Sequence, residues 1–255
     1  MRMQIDYDGL NQILEQDSRV SFLFFCQSDI IQPPELQKIN LPPKVGIIYD
    51  ATQTLGLIAG GALPNPLEAC QNIIMIGGTH KTFPSVTCGY VATNNDNYIN
   101  RVKQNISPNF LRNVQVNNIT SVCLSMLEML KFGEAYAQKI IWTANALGDA
   151  LSGDGLRVKC TEDGAFSHTH QLFIEVPKEQ VDISYTHFRN YGITLNKRKT
   201  AYLTGFRLGV QEIARYHFDE HIANLAHLLC LVLNSPEKFH EIMNLKATLA
   251  LFKSD

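Results

Sequence analysis

The chain has 255 residues, of which 45% are hydrophobic and 18% are charged, and its formal net charge at pH 7 is -2. This balance is typical of a globular protein with enough apolar material for one large domain or two smaller ones. The near-neutral charge gives no reason to expect binding to nucleic acid or to a membrane surface, and no apolar run reaches the roughly 20 residues that span a bilayer.

The cysteines indicate a reducing compartment. They are scattered along the chain without a CxxC pair, at Cys26, Cys70, Cys88, Cys123, Cys160 and Cys230. In a chain of this length such spacing is typical of reduced, mostly buried thiols and not of a disulfide framework or a zinc site. The first residues lack the apolar core of a signal peptide. We therefore expect a cytoplasmic protein without a bound metal.

The first part of the chain combines one helical pattern with several strand patterns. Leu10, Ile13 and Leu14 recur at helical spacing, and Asp6 or Asp8 is the expected cap. Four apolar runs of strand length follow, at residues 20–26, 45–50, 72–78 and 88–93. Continuous apolar runs of this kind are typical of strands that are buried on both faces of a parallel sheet.

The second part of the chain is richer in helical patterns. Two long helices are predicted on either side of Gly133, and two strands and two further helices follow; these segments are residues 118–132, 135–151, 170–176, 182–191, 205–210 and 219–233. The alternation predicts an α/β fold with a mostly parallel sheet, followed by a smaller α+β unit. We expect the two domains to comprise residues 1–151 and 152–255.

Three polar residues fall at or just after the ends of predicted strands. They are Ser28, Asp50 and Lys81. Ligands of open α/β sheets collect at the carboxyl ends of the strands. The sequence therefore predicts a ligand site that draws on this edge of the sheet.

An aspartate and a lysine in these positions fit the chemistry of pyridoxal phosphate. The carboxylate holds the protonated pyridine nitrogen and keeps the ring an electron sink, while the lysine amine forms a Schiff base with the aldehyde. The spacing alone also fits a plainer structure, in which Lys81 is a solvated loop residue and Asp50 caps the following helix. The pattern does not decide between the two.

Several collinear motifs make the chain resemble the C-terminal part of the serine hydroxymethyltransferase family of fold-type I pyridoxal phosphate enzymes. The cofactor-lysine signature of that family is matched by THKT at residues 79–82. Its D-x-A-H segment is matched by YDATQTLGLIAGGALPNPLEAC at residues 49–70, and its small-domain signatures by YGITLNK at residues 191–197 and GFRLGV at residues 205–210. The likeness covers nearly the whole chain.

The resemblance implies a role for each matching residue around the cofactor. Lys81 would bind the aldehyde, and Asp50 the ring nitrogen. Ser28 and Gln53 would lie near the ring hydroxyl, although a serine that only starts a turn also fits the position of Ser28. The residues before the lysine are His80, which has either a chemical or a structural role, and Thr79, whose hydroxyl would lie near the lysine.

The resemblance also implies a residue that binds the substrate. Arg207 matches the arginine that holds the α-carboxylate of the amino acid, and its planar guanidinium suits a bidentate contact that lysine cannot make. An exposed strand arginine is the alternative. The apolar and glycine residues on both sides of Arg207 favour the binding role.

The sequence departs from the family pattern at several places. Gln53 stands where the D-x-A-H pattern has histidine, and an amide donates a hydrogen bond but does not titrate near neutral pH. The loop FPSVTCG at residues 83–89 replaces an arginine- and glycine-rich loop. The segment at residues 107–115 replaces a glycine pair that serves the phosphate of the neighbouring subunit, and Arg112 is the residue there with a compensating charge.

The match begins partway through the large domain of the family. The resemblance implies that the preceding half supplies most of the phosphate-binding loop, the histidine that stacks on the cofactor ring and the glutamate implicated in hydroxymethyl chemistry. No second candidate for these residues is evident in the sequence. The chain therefore resembles one half of a divided enzyme, or a remnant of one. For a divided enzyme we expect a second protein chain to supply the N-terminal half, in a two-fold hetero-oligomer.

Three functions remain open at this point. The first is a subunit of a split enzyme that acts at the Cα of an amino acid by aldol-type cleavage, condensation or transfer. The second is an aminotransferase subunit on the same scaffold, which the altered Gln53 and the altered loop after Lys81 make credible. The third is a non-catalytic binding or regulatory partner, and the joint retention of Asp50, Lys81 and Arg207 argues against it.

Overall fold

The computed structural model describes residues 5–216 and 218–250, and in it the chain divides into two units between Gln138 and Lys139. The division falls inside a long helix. The predicted boundary between residues 151 and 152 separates the large and small domains that the resemblance implies, and it stays a prediction.

The first unit contains a four-stranded sheet in the order β1–β2–β3–β4. Its strands are β1 (Phe22–Cys26), β2 (Gly46–Asp50), β3 (Ile73–Gly78) and β4 (Gly89–Ala92). The first three strands run parallel, and β4 pairs antiparallel with β3. The predicted α/β architecture with a mostly parallel sheet is therefore confirmed.

The core of this sheet is built from the alternating side chains of the two central strands. Ile47 and Tyr49 of β2 and Ile73 and Met75 of β3 are buried in one cluster. Helix α1 (Tyr7–Gln16) begins after Asp6, whose carboxylate accepts a hydrogen bond from the backbone N–H of Gly9 at 2.9 Å. The predicted aspartate cap is thus Asp6, and it satisfies one of the free N–H groups at the helix start.

Strand β1 differs from its sequence-based expectation. The apolar run predicted a strand buried on both faces, but Phe22 is 46% exposed and Phe24 is 62% exposed. Leu23 and Phe25, which point to the other face, pack against the core. Within the described residues β1 pairs with β2 alone, so it is an edge strand with one open apolar face.

Three helices complete the first unit or run beyond it: α2 (Leu55–Ala59), α3 (Asp96–Asn105) and α4 (Val116–Gly153). Two separate helices joined near Gly133 were expected, and this expectation is wrong because α4 is continuous. The glycine serves a close contact instead. A Cβ atom added at Gly60 would lie 2.2 Å from the carbonyl oxygen of Gly133, so the backbones touch at this point.

The second unit is an antiparallel sheet with helices. Its elements are β5 (Gln171–Glu175), α5 (Val181–Asn190), β6 (Asn196–Lys199), β7 (Thr204–Gly209), α6 (Ile222–Asn234) and α7 (Phe239–Ala250). The strand order is β5–β7–β6. The expected strands near residues 170–176 and 205–210 and the expected helices near 182–191 and 219–233 are confirmed. The sequence patterns did not predict α3, β6 or α7.

The six cysteines are all free thiols, but the expectation that most of them are buried is wrong. Cys26, Cys123 and Cys160 are exposed, and the other three are partly exposed. No group of metal-binding side chains occurs within the described residues. Among the helices of residues 5–216 and 218–250, none combines the length and the apolar character that crossing a bilayer requires.

The contact of Gly60 with Gly133 leads to a stability prediction. We expect Gly60→Ala to lower the free energy of unfolding by about 1–3 kcal/mol, because the new methyl group has no room against the helix backbone. Urea denaturation of the purified chain measures the change. Gly89→Ala is the matched control, since a Cβ atom there meets nothing within 4 Å. Equal losses in the two variants would contradict the close-contact explanation.

Candidate active site

Asp50 and the start of the segment that carries Lys81 lie at the same edge of the sheet. Asp50 is the last residue of β2, and β3 ends at Gly78 shortly before Lys81. The two strands are adjacent and parallel, with Asp50 paired to Ile76. Parallel neighbours present their carboxyl ends together, which is where α/β sheets bind ligands.

The carboxylate of Asp50 is held on one side by Thr52. The backbone N–H of Thr52 donates to Oδ1 of Asp50 at 2.9 Å, and the Thr52 hydroxyl donates to the same oxygen at 2.5 Å. Within the described residues, the hydrogen-bond contact of Oδ2 is the thiol of Cys26, at 3.5 Å. A thiol is a weak donor, so Oδ2 keeps its capacity to accept a stronger hydrogen bond.

Two groups beside Asp50 are kept in their neutral form. Partial burial, and then the Asp50 carboxylate, raises the pKa of the Cys26 thiol. Burial, and then Asp50, also raises the pKa of the Tyr90 hydroxyl, which is buried and has no hydrogen-bond partner among the described residues. The thiol and the phenol therefore add no negative charge beside this carboxyl group at neutral pH.

Thr52 also ties the two strand ends together. Its hydroxyl oxygen accepts a hydrogen bond from the backbone N–H of Gly78 at 3.0 Å. A Cβ atom at Gly77 would lie 2.9 Å from the Thr52 nitrogen and 3.0 Å from the Tyr90 ring. A side chain at Gly77 therefore has no room beside these neighbours, which explains the glycine at this position.

Thr82 directly follows Lys81 and is held in place by hydrogen bonds of its side chain and its backbone carbonyl. Its fully buried hydroxyl donates to the carbonyl of Gln53 at 3.0 Å and accepts from the N–H of Gly56 at 3.0 Å. The hydroxyl of Tyr136 donates to the Thr82 carbonyl at 3.1 Å. The backbone on the C-terminal side of Lys81 is thus fixed to the loop after β2 and to α4.

Thr79 fixes the backbone on the N-terminal side of Lys81. Its hydroxyl donates to the carbonyl of Val86 at 2.5 Å and accepts from the N–H of Cys88 at 3.1 Å. This hydroxyl is engaged with the following loop in the structure. Whether it also lies near the lysine chemistry, as the resemblance implies, stays a prediction.

The loop that replaces the family's arginine- and glycine-rich segment is held by α4. The hydroxyl of Ser125 donates to the carbonyl of Pro84 at 2.9 Å, and the amide of Asn118 donates to the carbonyl of Thr87 at 3.2 Å. Both donors lie in the first half of the helix. The loop after Lys81 is therefore a defined part of the first unit in spite of its unusual sequence.

The remaining predicted site residues of the first unit are partly or fully exposed. Lys81 is half-buried, and its side chain has no hydrogen-bond or ion-pair partner among the described residues. His80 and Arg112 are exposed. Ser28 is exposed in the bend after β1, and Gln53 is partly buried directly after the Asp50–Thr52 turn.

Arg207 lies in the second unit. It is the fourth residue of β7 and pairs with Phe173 of β5 on one side and Asn196 of β6 on the other. Its neighbours Phe206 and Leu208 are buried, whereas Arg207 is partly exposed. The central strand of a three-stranded sheet gives its backbone a fixed position.

Sequence reasoning missed four residues that shape this site: Cys26, Thr52, Thr82 and Tyr90. A threonine two residues after an aspartate is a known turn pattern, since the aspartate side chain accepts from the backbone N–H two positions on. That signal was available for Thr52. The hydrogen-bond partners of Thr82 and the neighbours of Tyr90 come from distant segments, so no local pattern in the sequence points to them.

The donor set around Asp50 and Lys81 fits a cationic aromatic ring with an aldehyde. Oδ2 of Asp50 is available to a charged N–H donor, and the Lys81 segment, whose amine has no partner within residues 5–216 and 218–250, departs from the same edge of the sheet. The segments at residues 50–54 and 77–83 contain hydroxyl and amide donors but no arginine. A phosphate dianion would therefore need further donors from outside this edge.

Comparisons with known proteins point to one family. No family model matches the chain. A serine hydroxymethyltransferase of Archaeoglobus fulgidus is 29% identical over 95% of this chain and 57% of its own length. The enzymes of the same name from Sulfolobus acidocaldarius and Picrophilus torridus are 34% and 31% identical over 68% and 89% of this chain. The chain spans about half the length of these curated relatives, namely their C-terminal part.

A solved structure matches the fold. The L-threonine transaldolase of Pseudomonas fluorescens, determined in its internal aldimine state, superposes with a TM-score of 0.86 at 24% sequence identity. The match covers 97% of this chain and 58% of the transaldolase chain. The chain is therefore similar, over most of its length, to the C-terminal part of the serine hydroxymethyltransferases, and it has the fold of the fold-type I pyridoxal phosphate enzymes.

Proposed function

We propose that this chain is the C-terminal subunit of a serine hydroxymethyltransferase-like pyridoxal phosphate enzyme that acts at the Cα of an amino acid. The observation that carries the proposal is the placement of Asp50 and the Lys81 segment at the ends of adjacent parallel strands. The names of the relatives support a transferase or lyase that uses this cofactor. The reaction would be an aldol-type cleavage, condensation or transfer.

Each site residue has a defined task in this proposal. Oδ2 of Asp50 would hold the protonated ring nitrogen, and Lys81 would hold the aldehyde. When bound, the cofactor supplies an electron sink for the charge that develops at Cα. Gln53, Ser28 and Thr79 provide neutral hydrogen-bonding groups near the ring and the lysine, and His80 lies beside the lysine as a candidate proton carrier.

Arg207 binds the α-carboxylate of the substrate in this proposal. The motif GFRLGV carries the assignment, and the fixed backbone of β7 supports it. A guanidinium presents two parallel N–H donors to a carboxylate, which sets the orientation of the amino acid as well as its affinity.

A second protein chain supplies the N-terminal half of the large domain in this proposal. The open face of β1 supports it, because an edge strand with exposed phenylalanines invites a further sheet partner. A second apolar surface supports it as well. The first half of α4 and the segment before it expose Phe110, Leu111, Val114, Val116, Ile119, Leu124, Met126, Leu127, Leu130 and Phe132. An apolar surface of this extent is typical of a protein–protein interface.

We further propose that the assembled enzyme is a two-fold hetero-oligomer in the cytoplasm. The two separate apolar surfaces support more than one protein contact per chain. The six free cysteines support a reducing compartment.

The covalent role of Lys81 is tested by reductive trapping. Borohydride reduction of the cofactor-loaded protein, followed by peptide mapping, is expected to place a pyridoxyl group on Lys81. Lys81→Ala should lose the visible absorbance band of the bound cofactor, because no other amine is expected at this edge of the sheet. A stable label on another lysine, or an unchanged spectrum in Lys81→Ala, would refute the assignment.

The role of Arg207 is tested with amino-acid binding. Arg207→Ala leaves the substrate carboxylate unpaired, and Arg207→Lys keeps the charge but loses the two-pronged geometry. We expect amino-acid affinity to fall by roughly 2–5 kcal/mol in Arg207→Ala while cofactor affinity is unchanged. Spectral titration with a panel of amino acids measures both. Arg198→Ala, on the neighbouring strand β6, is the matched control. Unchanged amino-acid affinity in both Arg207 variants would count against the assignment.

The need for a partner chain is tested by expression alone and by co-expression with a candidate N-terminal half. Alone, we expect poor solubility or weak cofactor binding, because the two apolar surfaces stay exposed. Together, we expect a stable complex that retains the chromophore on dialysis. A well-behaved monomer that binds the cofactor tightly and turns over an amino acid would overturn the partner proposal.

Products formed by the complex distinguish the reaction types. Turnover of an amino acid that depends on an aldehyde acceptor or releases an aldehyde supports aldol-type chemistry. Turnover that depends on a keto acid supports transamination instead. A complex that binds the cofactor and forms no product from any amino acid would identify a non-catalytic partner.

A further inference from the structure

Thr52 is a departure from the family pattern that the proposed roles do not explain. In the D-x-A-H pattern the position two residues after the aspartate is alanine, and here it is threonine. Alanine has no side-chain group that donates or accepts a hydrogen bond. The hydroxyl of Thr52 makes two such bonds, one to Asp50 and one to Gly78.

The hydrogen bonds of Thr52 act on one oxygen of Asp50 alone. Both the N–H and the hydroxyl of Thr52 donate to Oδ1, whereas Oδ2 contacts the Cys26 thiol. An aspartate that accepts only the backbone N–H keeps rotational freedom about its terminal torsion. The second donor on the same oxygen fixes which oxygen faces the backbone and which one stays available.

The Thr52 hydroxyl is itself fixed in direction. It accepts from the backbone N–H of Gly78 at 3.0 Å, which orients its own hydrogen toward Asp50. The chain Gly78 N–H to Thr52 hydroxyl to Asp50 carboxylate thus connects the end of β3 with the end of β2. Hydrogen bonds in such a chain polarise one another and strengthen the last one.

We propose that Thr52 is a positioning residue that holds the Asp50 carboxylate with Oδ2 turned toward the ring nitrogen of the cofactor. This inference rests on the proposed function, because it assigns Asp50 to the ring nitrogen. It adds a side chain that contacts neither cofactor nor substrate and acts through Asp50. In this chain the hydroxyl stands where the family pattern has only a methyl group.

The first test uses the chain without cofactor and reads Cys26 as a reporter. Thr52→Val keeps the shape of the side chain and removes the hydroxyl, which frees the carboxylate to move away from the thiol. The pKa of the Cys26 thiol is raised by burial and then by Asp50, so we expect that loss of the Asp50 contact lets Cys26 alkylate about three-fold faster or more at a fixed pH. Mass spectrometry measures the rate at Cys26 against the exposed Cys123 and Cys160 as internal references.

Two variants control the first test. Thr52→Ser keeps the hydroxyl and should restore the wild-type alkylation rate. Thr93→Val removes a hydroxyl that donates to the Ile73 carbonyl at 2.6 Å and accepts from the Asn95 N–H at 3.1 Å, but it touches no carboxylate. Thr93→Val therefore reproduces the loss of stability that we expect from Thr52→Val, since both variants lose two hydrogen bonds of a hydroxyl. Cys26 should react in Thr93→Val at the wild-type rate. Equal rates at Cys26 in Thr52→Val, Thr93→Val and wild type would overturn the inference.

The second test compares the affinities of two cofactors for the protein, measured on the chain or on its complex with the partner, whichever binds pyridoxal phosphate. One is pyridoxal phosphate, and the other is its 1-deaza analogue, in which carbon replaces the ring nitrogen. We expect Thr52→Val to weaken binding of pyridoxal phosphate about ten-fold, the effect of one hydrogen bond to a charged group, and to change binding of the analogue less than about two-fold. Thr52→Ser should bind both cofactors as the wild type does.

The outcomes separate this inference from the function on which it rests. Equal weakening for both cofactors in Thr52→Val would mean that Thr52 only holds the strand ends together, and it would overturn the inference alone. A wild-type protein that fails to bind pyridoxal phosphate, or that binds both cofactors equally well, would overturn the assigned role of Asp50 and the inference with it. Selective weakening together with rescue by Thr52→Ser would support both.

Discussion

The parallel pairing of β2 with β3 is the constraint on which the site depends. It brings the carboxyl end of one strand, with Asp50, beside the end of the next, from which the Lys81 segment departs. An antiparallel pair would place these ends on opposite edges of the sheet. The hydrogen bonds of Thr52 to Asp50 and Gly78 then fix the spacing of the two ends. The acid and the amine owe their common edge to backbone topology and not to a contact of their own.

Close backbone contacts hold the Lys81 segment in place. A Cβ atom at Gly56 would lie 2.1 Å from the Thr82 carbonyl oxygen, so the first turn of α2 packs directly on the residue after the lysine. Buried hydroxyls of Thr79 and Thr82 satisfy the polar backbone that such packing buries. Each buried polar group has to find a partner, because leaving it unpaired costs about 1–3 kcal/mol. The segment is therefore rigid on both sides of a lysine whose own amine is left available.

The first unit exposes an unusual amount of apolar surface. The edge strand β1 and the first half of α4 both expose apolar side chains that a core would normally bury. The chain also spans only about half the length of the curated relatives it matches. Exposed apolar area on this scale favours association, since burying it releases free energy in proportion to the area covered. These facts are the physical basis of the proposal that a partner chain supplies the rest of the large domain.

The sequence by itself predicted every strand except β6, the order of the motifs and the candidate acid, lysine and arginine, because apolar runs and short signatures are local properties. It also indicated the α/β class. Only the tertiary structure decided that Gly133 is a contact point inside one helix, that β1 is an open edge and that Thr52 and Thr82 hold the site. Each of these depends on which distant backbone lies opposite a residue: Gly60 opposite Gly133, or Gly78 opposite Thr52. A pattern read along the chain carries no information about such neighbours until the strands have paired.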